Sequence, residues 1–271
     1  HRLRRLLSDK HVKVEAVDLS LDEVKAILAA ENFQSQLFSP RQLELLRLPQ
    51  NLSLFLDAGF VRTNSPQFNT PKELFDRYWE EKRRAVAQRA APTPEQWSET
   101  VHALCTEMTG TQQLSVIREK LDHLSSDYLA QMASEGVITF DGRRYGFGHE
   151  SFFDYCFARA FVANSQSLID FLIQSEQHLF RRAQVRQVLA YLRDSGRPRY
   201  LVELKSLLIE PRIRSHLKDL ALALVAAVPD PDAGEWSLWE TWLQSEVGAF
   251  AAGRRNDDKF ASLVWNHFST S

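Results

Sequence analysis

The stretch Val137-Ile138-Thr139-Phe140-Asp141-Gly142-Arg143-Arg144-Tyr145-Gly146-Phe147 decides the fold. Two strand-forming runs flank Asp141-Gly142, a dipeptide that tolerates the positive φ of a tight turn, so the stretch reads as a β-hairpin. On its N-terminal side, Gly136 ends a helix that Ser126 can cap and that runs through Tyr128, Leu129 and Met132. Before that, the spacing of Leu114, Ile117, Leu121 and Leu124 predicts another helix. Helices running into a hairpin predict a winged helix. On the C-terminal side, Phe153, Cys156, Phe157, Ala160 and Phe161 fall on one helical face, and later helices separate at Arg197-Pro198 and Pro229-Asp230-Pro231. That part reads as an array of irregular helical hairpins, HEAT- or TPR-like, without a clean repeat motif.

The N-terminal third carries repeated helix-start chemistry. Ser20 with Glu23 forms a capping box, and Val24, Ile27 and Leu28 continue at helical spacing. Ser39-Pro40-Arg41-Gln42, Thr70-Pro71-Lys72-Glu73 and Thr93-Pro94-Glu95-Gln96 each join a cap, a first-turn proline and a third-position Glu or Gln. The apolar stripes behind them, Leu43 and Leu46, then Leu74, Phe75 and Tyr78, then Trp97, Val101 and Leu104, complete a helical domain and open the next module. Between them, Ala90-Ala91-Pro92-Thr93-Pro94 reads as a stiffened linker.

Hydrophobic residues make up 44% and charged residues 25% of the 271, the balance of a globular chain. Lys and Arg number 33 against 35 Asp and Glu, so no global field holds the chain on nucleic acid or an anionic membrane. No apolar run approaches the roughly 18 residues of a membrane span, and no signal-peptide layout is present. Cys105 and Cys156 stand far apart in sequence with neither zinc nor disulfide-framework spacing, which points to a reducing, cytoplasmic setting. The first residue is His1, and Val12, Val14 and Ala16 alternate like one unpaired strand, so the chain is expected to be cut from a larger protein.

Catalytic signatures are missing. No glycine is followed by lysine, so there is no phosphate-cradling Gly-x-x-x-x-Gly-Lys turn, and Gly146-Phe147-Gly148 is a weak echo of a dinucleotide loop with Ser151 at the third glycine's place. There is no His-Glu-x-x-His pair and no marked nucleophile. Between Ser126 and Gly136 no Lys or Arg occurs, while Asp127 and Glu135 would repel a phosphate backbone, so only Arg143 and Arg144 favour DNA. Arg181, Arg182, Arg186, Arg193, Arg197 and Arg199 form a basic stretch that reads as a solvated face or a site for phosphate or an acidic partner.

The segment Tyr145-Gly146-Phe147-Gly148-His149-Glu150-Ser151-Phe152-Phe153-Asp154-Tyr155-Cys156-Phe157-Ala158-Arg159-Ala160 resembles the end of the winged helix in NACHT-type STAND ATPases. The shared pattern is an aromatic strand, a histidine, an aromatic pair, an acidic residue and a small-residue helix. By residue type alone His149 would cap or pack the following helix; the resemblance implies instead that it reaches the phosphate of bound ADP. Leu46-Arg47-Leu48-Pro49-Gln50-Asn51-Leu52-Ser53-Leu54-Phe55 is similar to the proline turn of the helical domain that follows the ATPase core in that family. There Pro49 would pack against adenine, where residue type alone has it end one helix and open the next. Gln187 to Arg193 and Ile213 to Lys218 look like repeats of bacterial members, while Walker A, Walker B and the core sheet are absent.

The expected fold is therefore mainly α: residues 1–18 ending a truncated NTPase core, 19–92 a helical domain, 93–149 a winged helix with a small β-hairpin, and 150–271 helical-repeat-like hairpins. The resemblance implies a segment that closes over ADP or ATP with Mg held by the upstream core, with no tight nucleotide binding and no hydrolysis by this chain alone. It implies an effector in the same parent, a protein ligand on the C-terminal helices, homo-oligomerisation on activation, no membrane partner, and a role in bacterial antiphage defence. A winged-helix DNA-binding regulator and a nucleotide-independent interaction module are the competing readings.

Overall fold

The computed structural model describes residues 18–62, 64–89, 94–226, 228, 233–237 and 240. The Val12 to Ala16 alternation, Ala90 to Thr93 and Pro229 to Pro231 lie outside the described residues. The chain is mainly α, with one small three-stranded antiparallel sheet, and divides into two compact units after Glu81.

The first unit holds α1 (Leu21–Ala30), α2 (Pro40–Leu45), α3 (Pro49–Asp57) and the first half of α4 (Pro71–Arg89). The capping boxes of α1 and α2 form as the sequence dictates. At α1, Glu23 N–H donates to Ser20 Oγ (3.2 Å) while Ser20 N–H donates back to Glu23 Oε2 (2.7 Å). At α2 the third-position residue does more than cap. Gln42 is buried, accepts from Ser39 N–H (2.7 Å), and its amide donates to the carbonyls of Pro66 (2.8 Å) and Phe68 (2.9 Å). One side chain thus closes a helix start and anchors the loop before α4. At that helix the box is shifted by one residue, because Glu73 Oε2 accepts from Asn69 N–H rather than from Thr70. Phe55 centres the core, with Phe33, Phe38, Phe60 and Phe68 ring centroids at 5.0, 5.4, 4.7 and 5.6 Å.

The second unit begins with the rest of α4 and α5 (Pro94–Thr111), followed by β1 (Val116–Ile117), a 3-10 turn (Arg118–Leu121), α6 (Ser126–Ser134), β2 (Ile138–Phe140) and β3 (Arg144–Phe147). With sheet order β1-β3-β2, this is the winged-helix arrangement, and the expected hairpin sits at the register Phe140 opposite Tyr145. Asp141 Oδ1 accepts from the N–H groups of Arg143 (2.9 Å) and Arg144 (2.7 Å), and Gly142 takes φ +94°, as a tight turn requires. Those backbone hydrogen bonds hold the Asp141 carboxyl below the ordinary carboxylate range.

Two local expectations change here. Leu114, Ile117, Leu121 and Leu124 do not share a helix: Val116 and Ile117 pair with Tyr145 and Arg144 as an edge strand. Cross-strand hydrogen bonds to β3 outweigh a helical spacing too short to bury a stripe of its own. The cap of α6 is Ser125, whose Oγ accepts from Tyr128 N–H (3.3 Å), one residue before Ser126.

From Glu150 the chain forms α7 (Glu150–Ala163), α8 (Leu168–Gln174), α9 (Phe180–Ser195), α10 (Arg197–Ile209) and α11 (Ser215–Ala226). In this array α9 packs on α7, α10 and α11, while α8 packs on α10. Gln177 clamps two connections: its amide donates to Arg212 O (3.0 Å) and its carbonyl accepts from Arg214 N–H (2.7 Å). Helix α7 departs from a single apolar face, since Phe152, Tyr155 and Ala158 are buried as fully as Phe153, Cys156 and Phe161. It lies against α5 and β3 as well as α9, which accounts for the wide apolar surface.

Candidate functional site

The junction between wing and array is built from two glycines. Gly136 ends α6 at φ +70°, with Gly136 N–H donating to Ala133 O (3.0 Å) and Val137 N–H to Met132 O (3.0 Å). Gly148 N–H then donates to Val137 O (2.9 Å), extending the β2–β3 ladder to the last residue before His149. The two backbones cross so closely that a Cβ on Gly148 would stand 2.1 Å from Gly136 O. This crossing fixes where β3 stops and α7 starts.

His149 is the N-cap residue of α7, extended at φ −111° and ψ 119°, with its carbonyl accepting from Phe152 N–H (3.0 Å). Its imidazole makes no capping bond to the helix amides and is half-buried. Of the two places that bare residue type allows, capping or packing against the helix, the imidazole does not take the first. As the N-cap residue, His149 belongs to the N-terminal, positive end of a 14-residue helix.

The first turn of α7 carries further polar groups. Ser151 Oγ is buried and finds no hydrogen-bond partner among the described residues. Burial first, and then the Glu150 carboxylate one turn away, push Asp154 from 3.8 up to about 7, against the opposing pull of Arg186. In the unfolded chain Asp154 ionises near 3.8, whereas the folded protein keeps its proton until pH approaches 7, so this group lowers stability as pH rises between those values. Asp154→Asn removes the titration. We expect the variant to gain on the parent chain in urea midpoint between pH 5 and pH 8; parallel pH profiles would remove Asp154 as the source.

Pro49 is the first residue of α3 and is exposed beside Leu48, also exposed. It belongs to the first unit and His149 to the second. The basic stretch divides: Arg182 and Arg186 are exposed, while Arg181, Arg193, Arg197 and Arg199 are engaged within the array. Arg193 grips the fully buried Glu235 through Nε (2.7 Å) and a second nitrogen (3.1 Å), with Arg197 3.6 Å from the same carboxylate. Arg199 donates to the carbonyls of Val162 (2.9 Å) and Gln166, tying α10 to the α7–α8 connection. Arg181 is buried against Phe171 (4.7 Å) and donates to Gln184 (2.6 Å). These arginines are committed to the array because their partners lie on other turns and helices, which their spacing in sequence does not reveal.

The recognition-helix position of the winged helix is covered at one end by α4. Lys82 donates to Glu135 O (2.8 Å), and Arg89 lies 2.6 Å from the Glu135 carboxylate, an ion pair without hydrogen-bond alignment. Among the described residues no cluster of His, Cys, Asp and Glu is arranged to hold a metal ion, and no helix is long and apolar enough to cross a membrane. The sequence matches no family model and no curated protein.

Proposed function

We propose that this chain is the regulatory segment of a cytoplasmic, NACHT-like STAND ATPase of bacterial antiphage defence, closing over ADP or ATP bound by an upstream core. The observation that carries the reading is the β3–α7 junction, where a winged helix passes within two residues into a helical array and His149 stands at the positive end of α7. An imidazole N–H beside helix-start amides suits an anionic phosphate oxygen. Asp154, which keeps its proton up to about pH 7, opposes such an anion less than an ordinary carboxylate would.

Bound nucleotide with Mg would supply the phosphate charge that this segment senses; the residues here orient and retain it and carry no hydrolytic step. Pro49, exposed with Leu48 at the start of α3, offers an apolar surface suited to the adenine face. In this account ADP favours the closed form through its contacts with core and winged helix, a protein ligand on the α7–α11 array favours the open form, and opening leads to homo-oligomerisation and effector action. Switching requires that each ligand bind the two forms with different affinity.

The DNA-binding alternative is disfavoured by α6, whose exposed Asp127 and cation-free sequence offer nothing to phosphate. A nucleotide-indifferent interaction module remains the rival. The reading frame upstream of His1 separates them: a Gly-x-x-x-x-Gly-Lys-Ser/Thr turn after a strand, within one domain length, is expected for the switch. A start codon immediately upstream would leave no ATPase core and overturn it.

A further inference from the structure

Cys105 and Cys156 are the only cysteines in the chain, 51 positions apart on α5 and α7. Folding packs these two helices together, and both cysteines are buried. There the Cys105 thiol lies near enough to Cys156 to help push its thiol upward. A chain with two cysteines has no reason of packing alone to bring them into contact; any small apolar side chain would fill either place.

We propose that Cys105 and Cys156 form a redox pair, which a low-molecular-weight disulfide oxidises to a bond locking the first helix of the winged helix to the first helix of the array. One cysteine thiolate attacks a sulfur of oxidised glutathione, forming a mixed disulfide and expelling one glutathione thiolate, which takes up the released proton. The second cysteine, on losing its proton, attacks the protein sulfur of that mixed disulfide and expels the second glutathione. Two protein thiols are oxidised and one external disulfide is reduced to two thiols.

Rate and stability are separated in this pair. Burial, and then the neighbouring Cys105 thiol, push the Cys156 thiol well above its ordinary range, so little thiolate exists while the α5–α7 contact is closed. The bond therefore forms at the rate at which that contact opens and, once formed, restrains the loop between the two helices in the unfolded chain. The pair records opening of the wing-to-array contact under oxidising conditions. This inference is independent of the nucleotide reading.

The test is incubation of the full chain with oxidised glutathione, followed by non-reducing peptide mapping and thermal melting. The expected result is a linked Cys105–Cys156 peptide lacking two hydrogens, joint loss of both thiols, and an upward shift of the melting midpoint that reductant reverses. Cys156→Ser should leave Cys105 with at most a glutathione adduct and no shift. Glutathione adducts on the unsubstituted chain without the link would overturn the proposal. So would two intact thiols after incubation long enough for the α5 amides to exchange with solvent.

Discussion

Gly148→Ala is expected to destabilise the second unit by about 3 kcal/mol or more, the upper end of overpacking effects. The added Cβ would lie 2.1 Å from Gly136 O, and the atom it meets is backbone rather than the end of a flexible side chain. Gly136 cannot simply retreat: its φ of +70° and the hydrogen bonds ending α6 hold that carbonyl in place, and Val137 O is engaged by Gly148 itself. Relief requires separating the end of α6 from the end of β3, which moves His149 away from its place at α7. Gly110→Ala provides the contrast. It lies within α5 with nothing within 4 Å of a built Cβ, so the same added methyl should stabilise by about 0.5–1 kcal/mol through helix propensity. Urea unfolding followed by circular dichroism should give shifts of opposite sign; equal shifts would mean that the Gly136–Gly148 crossing is not tight.

The second large effect belongs to the first unit. Phe55→Ala should cost about 3–5 kcal/mol, the range for emptying a buried phenylalanine site. Phe55 is fully buried and four other phenylalanine rings rest on it, with the stacked Phe60 closest at 4.7 Å. Those rings come from the turn after α1, the loop before α2 and the α3–α4 connection, so no single element can slide in to fill the space. Native-state hydrogen exchange should show faster exchange over α1 to α3, with α9 amides unchanged. Equal acceleration in α9 would show that the two units unfold as one.

Features set by neighbours in sequence were legible before the structure. Ser20 with Glu23 and Ser39 with Gln42 close their helices as read, because a cap needs only a side chain and an amide three residues apart. Asp141-Gly142 marked the hairpin for the same reason. What escaped depends on distant chain. The two-residue β1 exists only through its pairing with β3, and its helical spacing was coincidental. Helix α7 concealed its second buried face because single-face periodicity disappears when a helix is covered on several sides. Glu235 gave no sign that it would neutralise Arg193, nor Cys105 that it would meet Cys156. At the candidate site, His149 stood out through the pattern around it. The glycine crossing that positions it did not, since the approach of Gly136 to Gly148 is a property of the folded backbone.

The nucleotide switch is tested most directly by measuring ADP retained by the parent protein, expressed from its whole gene, with His149 intact and with His149→Leu. A hydrogen bond to a charged phosphate oxygen contributes about 1.5–3 kcal/mol, so its loss should weaken ADP retention roughly tenfold to hundredfold and make signalling less dependent on the activating ligand. Unchanged ADP retention together with unchanged signalling would contradict the account and return His149 to a purely structural place at the start of α7.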